Sequence, residues 1–309
     1  MSQSLFNTQD AIADLVTIRD LIRWGVTHFN QANLFYGHGT DNSWDEAVHL
    51  VLSAVHLSPD SDINVLDARL IQSEKKQVVT LIERRIKERI PVPYLLKEAW
   101  FAGLNFYVDE RVLIPRSPIA ELINEEFRPW VAQEKVTRIL DLCTGSGCIA
   151  ITAALAFLDA TVDAVDLDTG ALEVAAQNVK KFDLETRVRL VHSDLFDNVV
   201  DQKYDIIISN PPYVAEQEYQ DLPQEYRHEP KFALEAGVDG LTIVRRILNQ
   251  AHHHLSATGI LIVEVGLTQL AVEEAFPNIP FTWLQFENGG EGVFLLTFDE
   301  LVEFNHYFQ

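Results

Sequence analysis

Short apolar segments alternate with longer helical stretches along the chain from residue 138 onward. One segment, Tyr204–Ser209, contains three consecutive isoleucines, so it presents apolar side chains on both of its faces. This pattern is typical of a strand in a parallel sheet that helices cover on both sides. Because amphipathic stretches such as 170–181 separate the segments, the sequence predicts a doubly wound α/β domain. The other predicted parallel strands are Arg138–Cys143, Thr161–Asp166, Val188–Val191 and Gly259–Val265.

The C-terminal end of the chain breaks this alternation. Phe281–Phe286 and Val293–Phe298 flank a turn at 288–292 that contains three glycines. Two apolar segments joined by such a turn predict a β-hairpin. The expected sheet is therefore mostly parallel, with an antiparallel hairpin at its C-terminal end.

The N-terminal part of the chain differs because its apolar periodicity is helical. Residues 10–30 and 74–90 each carry an amphipathic stripe, which predicts one helix over each range. Ser43–Glu46 has the pattern of a capping box at the start of another helix. Pro91 ends the last of these helices.

These patterns divide the chain into three parts. We expect a helical domain over 1–91, a connector containing a β-hairpin over 92–118, and the α/β domain over 119–309. The helical domain carries no obvious chemistry, so its predicted role is to dock a protein substrate. Its most basic stretch contains Arg84, Arg85, Lys87 and Arg89, which we interpret as a solvated helix face rather than a nucleic-acid site.

The charge of the chain restricts its partners. The formal charge is −22, from 24 Lys and Arg against 46 Asp and Glu. Residues 1–91 hold 9 basic and 12 acidic side chains, so a net −19 falls on the remaining 218 residues. A protein that follows a phosphate backbone needs a basic surface. The charge therefore argues against direct nucleic-acid binding and favours a basic polypeptide as partner.

The sequence shows no feature of export or membrane insertion. Cys143 and Cys148 lie five residues apart in one apolar segment and are expected to be reduced thiols. The longest nearly apolar run, Cys148–Leu158, is too short to span a bilayer. The first ten residues lack a basic region followed by an apolar core. We therefore expect a soluble, cytoplasmic protein that does not bind membranes.

A glycine-containing turn, Asp141–Gly147, follows the first predicted strand and opens a helix. Its glycines allow a ligand to approach the backbone, and the helix start supplies free N–H groups. Asp141 would repel a pyrophosphate but suits the ammonium group of a methionine moiety. The turn therefore favours S-adenosylmethionine over a dinucleotide, and a tight turn without any ligand stays an alternative. The residues expected at the cofactor here are Asp141, Cys143, Thr144, Gly145, Ser146 and Gly147.

Acidic residues also end the next two strands. Asp166 is placed to accept hydrogen bonds from both ribose hydroxyls of a nucleoside. Asp194 could accept from an adenine amino group while Leu195 covers the ring, and a surface turn is an equally good interpretation of this acid. Asp168 is predicted to cap the helix that follows it.

The loop Asn210-Pro211-Pro212-Tyr213 directly follows the strand that ends at Ser209. In open α/β sheets, ligands bind at the carboxyl ends of strands, near the point where the strand order reverses. The Asn210 side-chain oxygen and the Pro211 carbonyl would give two acceptors for a planar NH₂ group, since proline has no N–H. Tyr213 would add an aromatic wall. This arrangement suits methylation of an amide or an aromatic amine.

The chain resembles the HemK-like protein-glutamine N-methyltransferases in four features, which follow one another in the order Asp141–Gly147, Asp166, Asp194 and Asn210–Tyr213. Val112–Arg116 and Glu229–Leu241 add to the resemblance, which covers roughly residues 90–300. It implies a Rossmann-like class I methyltransferase fold with a seven-stranded sheet, and S-adenosylmethionine-dependent N5-methylation of a glutamine side-chain amide. The expected catalytic residues are Asn210, Pro211 and Tyr213; Pro212 joins them in binding substrate, and Asn210 also contacts the cofactor with Asp166, Asp194 and Leu195.

The residues after Arg116 separate two branches of this family. The release-factor branch continues Pro-Asp-Thr-Glu, whereas this chain continues Ser117-Pro118-Ile119-Ala120-Glu121. Together with Asp221–Pro223 and Tyr226–Pro230, this resembles the branch that acts on large-subunit ribosomal protein three. Cys143, where the wider family usually has glycine, also fits that branch. The expected substrate is thus a basic ribosomal protein, and a release factor is the alternative.

Two other functions stay open on the sequence. An adenine-N6 methyltransferase uses a loop like Asn210–Tyr213 but would need a basic groove. A non-catalytic ribosome assembly factor would have no need to align an amide with a methyl group. No metal is expected, because the consecutive His252–His254 would point in different directions on a helix. The reaction needs no dedicated base, and we interpret His228 as a structural loop residue.

Overall fold

The computed structural model describes residues 7–58 and 61–308. The described chain divides into two compact units. The helical unit contains the residues up to Glu98 and also the segment Pro223–His228. The α/β unit contains Ala99–Leu222 and the described residues from Glu229 onward.

The helical unit is built around the apolar stripes that the sequence shows. Leu21, Leu50 and Val78 are fully buried at its centre. A short helix begins directly after Pro91 and packs on this core through Val92, so the unit continues beyond residue 91. The helices of this unit are α1 (Thr8–Asp14), α2 (Ile18–Gln31), α3 (Ser43–Ala54), α4 (Gln72–Glu88) and α5 (Val92–Leu96).

Two predicted helix starts are wrong. The stripe over 10–30 is divided between α1 and α2, because Thr17 begins a new helix with its own capping box. Its hydroxyl accepts from the Asp20 N–H at 3.1 Å, and the Asp20 carboxylate accepts from the Thr17 N–H at 2.9 Å. Asn42 rather than Ser43 caps α3, since its side-chain oxygen accepts a first-turn N–H at 2.9 Å.

Arg85 contradicts the prediction of a solvated basic face. Its guanidinium is fully buried, with Nε donating to Glu46 at 2.7 Å and Nη2 donating to the Phe35 carbonyl at 2.8 Å. Arg85 lies three residues after Ile82, so the helical repeat turns both side chains towards the core. Arg84 is exposed, as predicted. Charge pattern alone does not separate these two neighbours.

Glu225 brings a second carboxylate to Arg85 from a distant part of the chain. Its Oε1 lies 3.3 Å from Nη1 of Arg85 and 3.3 Å from Nη1 of Arg89, and its side chain is buried. Three residues later, Nε2 of His228 lies 2.9 Å from the Glu88 carbonyl oxygen. These bonds make the 223–228 segment part of the helical unit.

The α/β unit begins with a short hairpin of β1 (Ala99–Phe101) and β2 (Leu104–Phe106), followed by a seven-stranded sheet. The strand order is β5-β4-β3-β6-β7-β9-β8. The strands are β3 (Arg138–Leu142), β4 (Thr161–Asp166), β5 (Val188–His192), β6 (Tyr204–Ser209), β7 (Leu255–Glu264), β8 (Thr282–Trp283) and β9 (Val293–Thr297). Strands β3 to β7 are parallel, and β9 is antiparallel to β7 and β8. The predicted fold class is confirmed.

Helices cover both faces of this sheet. Ile206 and Ile208 of β6 lie in the core under one layer of helices, and Ile207 lies in the core on the other face. No helix in the described part of the chain is both long and apolar enough to cross a membrane. The helices of the unit are α6 (Ile119–Asn124), α7 (Cys148–Ala156), α8 (Thr169–Lys181), α9 (Glu216–Asp221), α10 (Thr242–Gln250), α11 (Gln269–Ala275) and α12 (Phe298–Glu303).

The sheet places two of the predicted functional loops side by side. β3 lies between β4 and β6, and Leu142 at the end of β3 is in register with Ser209 at the end of β6. The connections leave β3 and β6 towards opposite neighbours, which makes this the switch point of the sheet. The loops that begin at Cys143 and Asn210 therefore start next to each other.

We expect Arg85→Ala to destabilise the helical unit strongly. The substitution leaves Glu46 and Glu225 buried without their shared cation, a loss that costs about 3–5 kcal/mol of unfolding free energy. Arg84→Ala, on the same helix, removes an exposed pair with Glu88 and should cost less than about 1 kcal/mol. Urea unfolding of both full-length variants measures the difference, and equal losses would show that burial of the network is unimportant.

Candidate active site

A cleft opens at the carboxyl ends of the parallel strands. The sequence-predicted site residues that line it are Cys143, Gly145, Asp166, Asp194, Leu195, Asn210 and Pro212. The structure adds residues that the sequence did not single out, among them Arg111, Leu113, Phe232, Ala233 and Ile243. The loops after four strands, β3 to β6, thus contribute to one cleft, as the switch-point argument predicts.

The turn after β3 has the backbone that a close ligand approach requires. Cys143, Gly145 and Gly147 all adopt left-handed conformations, with φ of 61°, 54° and 79°. A Cβ at Gly147 would lie 3.3 Å from the Cβ of Ala175, so helix packing also favours glycine there. Burial raises the pKa of the Cys143 thiol, which therefore stays protonated and lines the cleft as an apolar group.

Asp141 is fully buried and does not line the cleft. Its Oδ2 accepts hydrogen bonds from the Thr144 hydroxyl at 2.5 Å and from the Ala150 N–H at 3.1 Å. Its Oδ1 has no hydrogen-bond partner among the described residues, and burial raises the pKa of the carboxyl to about 7. Thr144 and Ser146 are also buried, so these side chains shape the turn from inside. Contact of Asp141 with a methionine moiety stays a prediction.

Asp166 connects two of the cleft's loops. One carboxylate oxygen accepts the Gly145 N–H at 2.9 Å, and the other accepts the Asp168 N–H at 2.9 Å. Burial raises the pKa of this carboxyl. Asp168 caps α8, as predicted, by accepting the Ala171 N–H at 2.8 Å. Each Asp166 oxygen has a further lone pair for a hydroxyl group in the cleft.

Asp194 and Leu195 form another wall of the cleft. Asp194 lies 2.9 Å from Nη1 of Arg246, and both side chains are more than a third exposed, so the ion pair is screened by water. Leu195 is buried and adopts a left-handed backbone with φ of 50°. The wall thus offers a carboxylate beside an apolar surface.

The four residues after β6 face different directions. Asn210 and Pro212 line the cleft, whereas Pro211 and Tyr213 are not among its lining residues. The Asn210 Oδ1 is buried and accepts no hydrogen bond from any residue that the structure describes. The Tyr213 hydroxyl donates to Glu264 at 3.2 Å. The ring of Tyr213, which was expected to form an aromatic wall, is thus not among the lining residues, and its hydroxyl is hydrogen-bonded to the buried Glu264 carboxyl.

Glu264, at the end of β7, is a site residue that the sequence analysis missed. Its residue surface is 5% exposed, and burial raises the pKa of its carboxyl. Oε2 accepts from the Ser117 hydroxyl at 2.5 Å, and Oε1 accepts from the Tyr213 hydroxyl at 3.2 Å. The sequence feature that could have identified Glu264 is an acidic residue at the carboxyl end of β7, the strand next to β6.

A second buried acid joins the segment before β3 to the segment between β6 and β7. Arg116 donates to both oxygens of Glu229, at 2.6 and 2.8 Å, and the Ile114 N–H donates to Glu229 at 3.0 Å. The Glu229 side chain is fully buried. A bidentate pair of this kind fixes the orientation as well as the distance of its partners.

His228 does not line the cleft. His228 belongs to the helical unit, where its ring bonds to the Glu88 carbonyl, in agreement with a structural role. Within residues 7–58 and 61–308, no group of three His, Cys, Asp or Glu side chains is arranged to bind a metal ion.

Comparisons with known proteins identify relatives of the whole chain. The methyltransferase small domain family matches residues 127–237. The chain is 53% identical to the ribosomal protein uL3 glutamine methyltransferase of Francisella tularensis subsp. tularensis, over 97% of this chain and 98% of that protein. It is 49% identical to the ribosomal protein uL3 glutamine methyltransferase of Neisseria meningitidis serogroup A, over 98% and 99%.

Solved structures show more remote similarity. A T. thermophilus 16S rRNA N2 G1207 methyltransferase in complex with AdoMet and guanosine is 19% identical, with a TM-score of 0.46 over 65% of this chain and 49% of that one.

We expect Asp141→Asn to change how stability depends on pH. The carboxyl titrates near 3.8 when unfolded and at about 7 when folded, so the unfolded chain loses this proton first and rising pH destabilises the wild type between those values. Asparagine has no such proton and can still accept from Thr144. The unfolding free energy of the variant minus that of wild type should therefore grow with pH, by up to about 1.4 kcal/mol per unit. Urea titrations from pH 4 to 7 measure this; a constant difference would contradict it.

Proposed function

This chain belongs to the family of the ribosomal protein uL3 glutamine methyltransferases, and we propose that it transfers a methyl group from S-adenosylmethionine to a glutamine side-chain amide of uL3. The family assignment rests on near-complete alignment with two relatives at 49–53% identity. The chemistry rests on one observation above all: Asn210, whose buried Oδ1 has no hydrogen-bond partner among the described residues, lines the same cleft as Cys143 and Gly145 of the turn after β3.

The cleft has groups that fit S-adenosylmethionine. Asp166 retains lone pairs for ribose hydroxyls, Asp194 offers an acceptor for an amino group, and Leu195 offers an apolar surface for a ring. The left-handed turn at Cys143–Gly147 allows the backbone to approach the methionine end. When bound, this cofactor supplies an electrophilic methyl group on sulfur. No metal is required for the transfer.

Asn210 and Pro211 are proposed to bind the acceptor amide. The amide NH₂ group has two donors, which would be accepted by Asn210 Oδ1 and the Pro211 carbonyl. The lone pair of an amide nitrogen is delocalised, so nitrogen is a poor nucleophile. Two acceptors would fix the plane of the amide and stabilise the positive charge that develops on nitrogen as the N–C bond forms and the methyl carbon leaves the sulfur, which keeps the bonding electron pair. The nitrogen would then release one proton to solvent to give the methylated amide. Pro212 and Tyr213 belong to the same loop.

The comparisons favour uL3 over the other substrates that the sequence left open. Both near-full-length relatives are named for uL3 rather than for release factors. Adenine-N6 methylation of nucleic acid would place polyanionic substrate on a protein of formal charge −22. The same charge supports a basic ribosomal protein as partner, encountered in the cytoplasm before it enters the ribosome.

The helical unit is proposed to dock the protein substrate. It exposes several large apolar side chains, of which Trp44, Ile63 and Ile71 are 48%, 70% and 64% exposed. Contiguous exposed apolar surface marks protein-binding sites, and these three side chains would contribute to such a surface. Replacing all three by alanine should raise KM for intact uL3 and leave binding of S-adenosylmethionine unchanged. An unchanged KM would show that the substrate docks elsewhere.

We expect Asn210→Ala to abolish most methyl transfer without loss of the fold. The variant lacks one of two acceptors for the amide, and loss of such a group costs about 100- to 1,000-fold in kcat. Transfer of label from S-adenosylmethionine to purified uL3 measures the rate. Asn249→Ala is the matched control, because that side chain donates to the Phe308 carbonyl away from the cleft. Equal rates for the two variants would contradict the proposed role.

The substrate is tested by mapping the labelled peptide. Purified protein is incubated with labelled S-adenosylmethionine and a mixture of unmethylated ribosomal proteins, release factors and nucleic acid. We expect label on a single glutamine of uL3. Label on a release factor would keep the chemistry and change the substrate, and label on nucleic acid alone would overturn the amide-binding role of Asn210.

A further inference from the structure

We propose that Thr268 is a positioning residue for methyl transfer, which holds the Asn210–Tyr213 loop in place through the Tyr213 carbonyl. This inference rests on the proposed function, because it concerns how the loop that would bind the acceptor amide is held. The Thr268 side chain is buried, and its hydroxyl donates to the Tyr213 carbonyl oxygen at 2.7 Å. It would act through the backbone of the loop and would not touch the substrate itself.

The loop is stiff between its two ends. Pro211 and Pro212 each have one backbone dihedral fixed by the ring, and a residue that precedes proline is restricted to extended conformations. Neither proline has an N–H group, so the backbone of these two residues cannot donate hydrogen bonds to the rest of the fold. The positions of Asn210 and of the Pro211 carbonyl therefore depend on how the two ends of the loop are held.

The sheet holds the end that precedes Asn210. Ser209 is the last residue of β6, and it is in register with Leu142 of β3 on one side and with Val263 of β7 on the other. Its hydroxyl also donates to the Leu142 carbonyl at 3.0 Å. The start of the loop is therefore fixed without any contribution from Thr268.

Tyr213 is the other end of the loop, and the segment at the end of β7 holds it. Its hydroxyl donates to Glu264 at 3.2 Å, and its ring lies against Gly266, where a Cβ would be 2.9 Å from the ring Cε2. Its carbonyl accepts the Thr268 hydroxyl and lies against Gly240, where a Cβ would be only 2.4 Å from the oxygen. Among the three contacts from the β7 end, the Thr268 hydroxyl is the one made to the backbone of Tyr213.

Val214, the next residue, limits how far the loop can move. Its N–H donates to the Leu234 carbonyl at 2.8 Å, and its carbonyl accepts the Ala236 N–H at 2.9 Å. These two bonds would remain without the Thr268 hydroxyl, so its loss should displace the loop rather than release it. A displacement of reacting groups by about 1 Å can cost about 100-fold in rate, and we expect about a tenfold loss from this smaller change.

Thr268→Val tests the inference, because valine has nearly the same shape and no hydroxyl. We expect kcat for transfer of label to purified uL3 to fall about tenfold, with the Kd for S-adenosylmethionine and the KM for uL3 unchanged. The matched control is Thr152→Val in α7, which should keep the wild-type kcat. Thr152 is also buried, and its hydroxyl has no hydrogen-bond partner in the part of the chain that the structure describes.

Thr268→Ser separates positioning from packing. Serine keeps the hydroxyl and lacks the methyl group, so it should keep the wild-type kcat if the hydrogen bond to Tyr213 is what matters. A residue that only fills space would give the opposite order, with valine active and serine impaired.

The outcomes distinguish this inference from the proposed function. If wild-type protein methylates uL3 and Thr268→Val keeps its kcat, the positioning role is wrong. If Thr268→Val does not fold, the serine variant decides: a wild-type kcat supports the inference, and a clearly lower kcat overturns it. If the wild-type protein itself methylates no glutamine in uL3, the proposed function fails and this inference fails with it.

Discussion

The adjacency of β3 and β6 is the constraint on which the rest of the site depends. Both strands are parallel, so their carboxyl ends lie at one edge of the sheet, and Leu142 and Ser209 are in register there. The left-handed turn after β3 and the loop at Asn210 therefore start side by side. A cleft between them needs no long excursion of the chain, because the sheet itself brings the two loops together.

Buried carboxylates then fix how these loops are oriented. Glu264 collects donors from Ser117 and Tyr213, and Glu229 is held in a bidentate pair by Arg116. A buried acid is costly unless its lone pairs are occupied, so each one imposes specific geometry on its donors. Each acid accepts from a segment that is distant in sequence, 147 positions away for Ser117 and 113 positions away for Arg116. The two acids thereby fix the directions of the hydrogen bonds between segments that the fold of the sheet only brings close together.

The same principle operates in the helical unit. Arg85 is buried between Glu46 and Glu225, and the second of these acids comes from a segment that follows the Asn210 loop in sequence. Removing one partner of such a buried network costs more unfolding free energy than the complete network contributes relative to an apolar core. The arrangement therefore specifies where the 223–228 segment lies more than it adds to stability.

The sequence by itself determined the fold class and the position of the loops, and it predicted the amide-binding role of Asn210. These depend on local periodicity and on residue types at strand ends, which a single chain displays directly. Only the tertiary structure decided which polar groups are paired: Asp141 turned inward, Arg85 buried, and Glu264 bonded to Ser117 across 147 positions. Side-chain pairing depends on packing between distant segments, and periodicity carries no information about it.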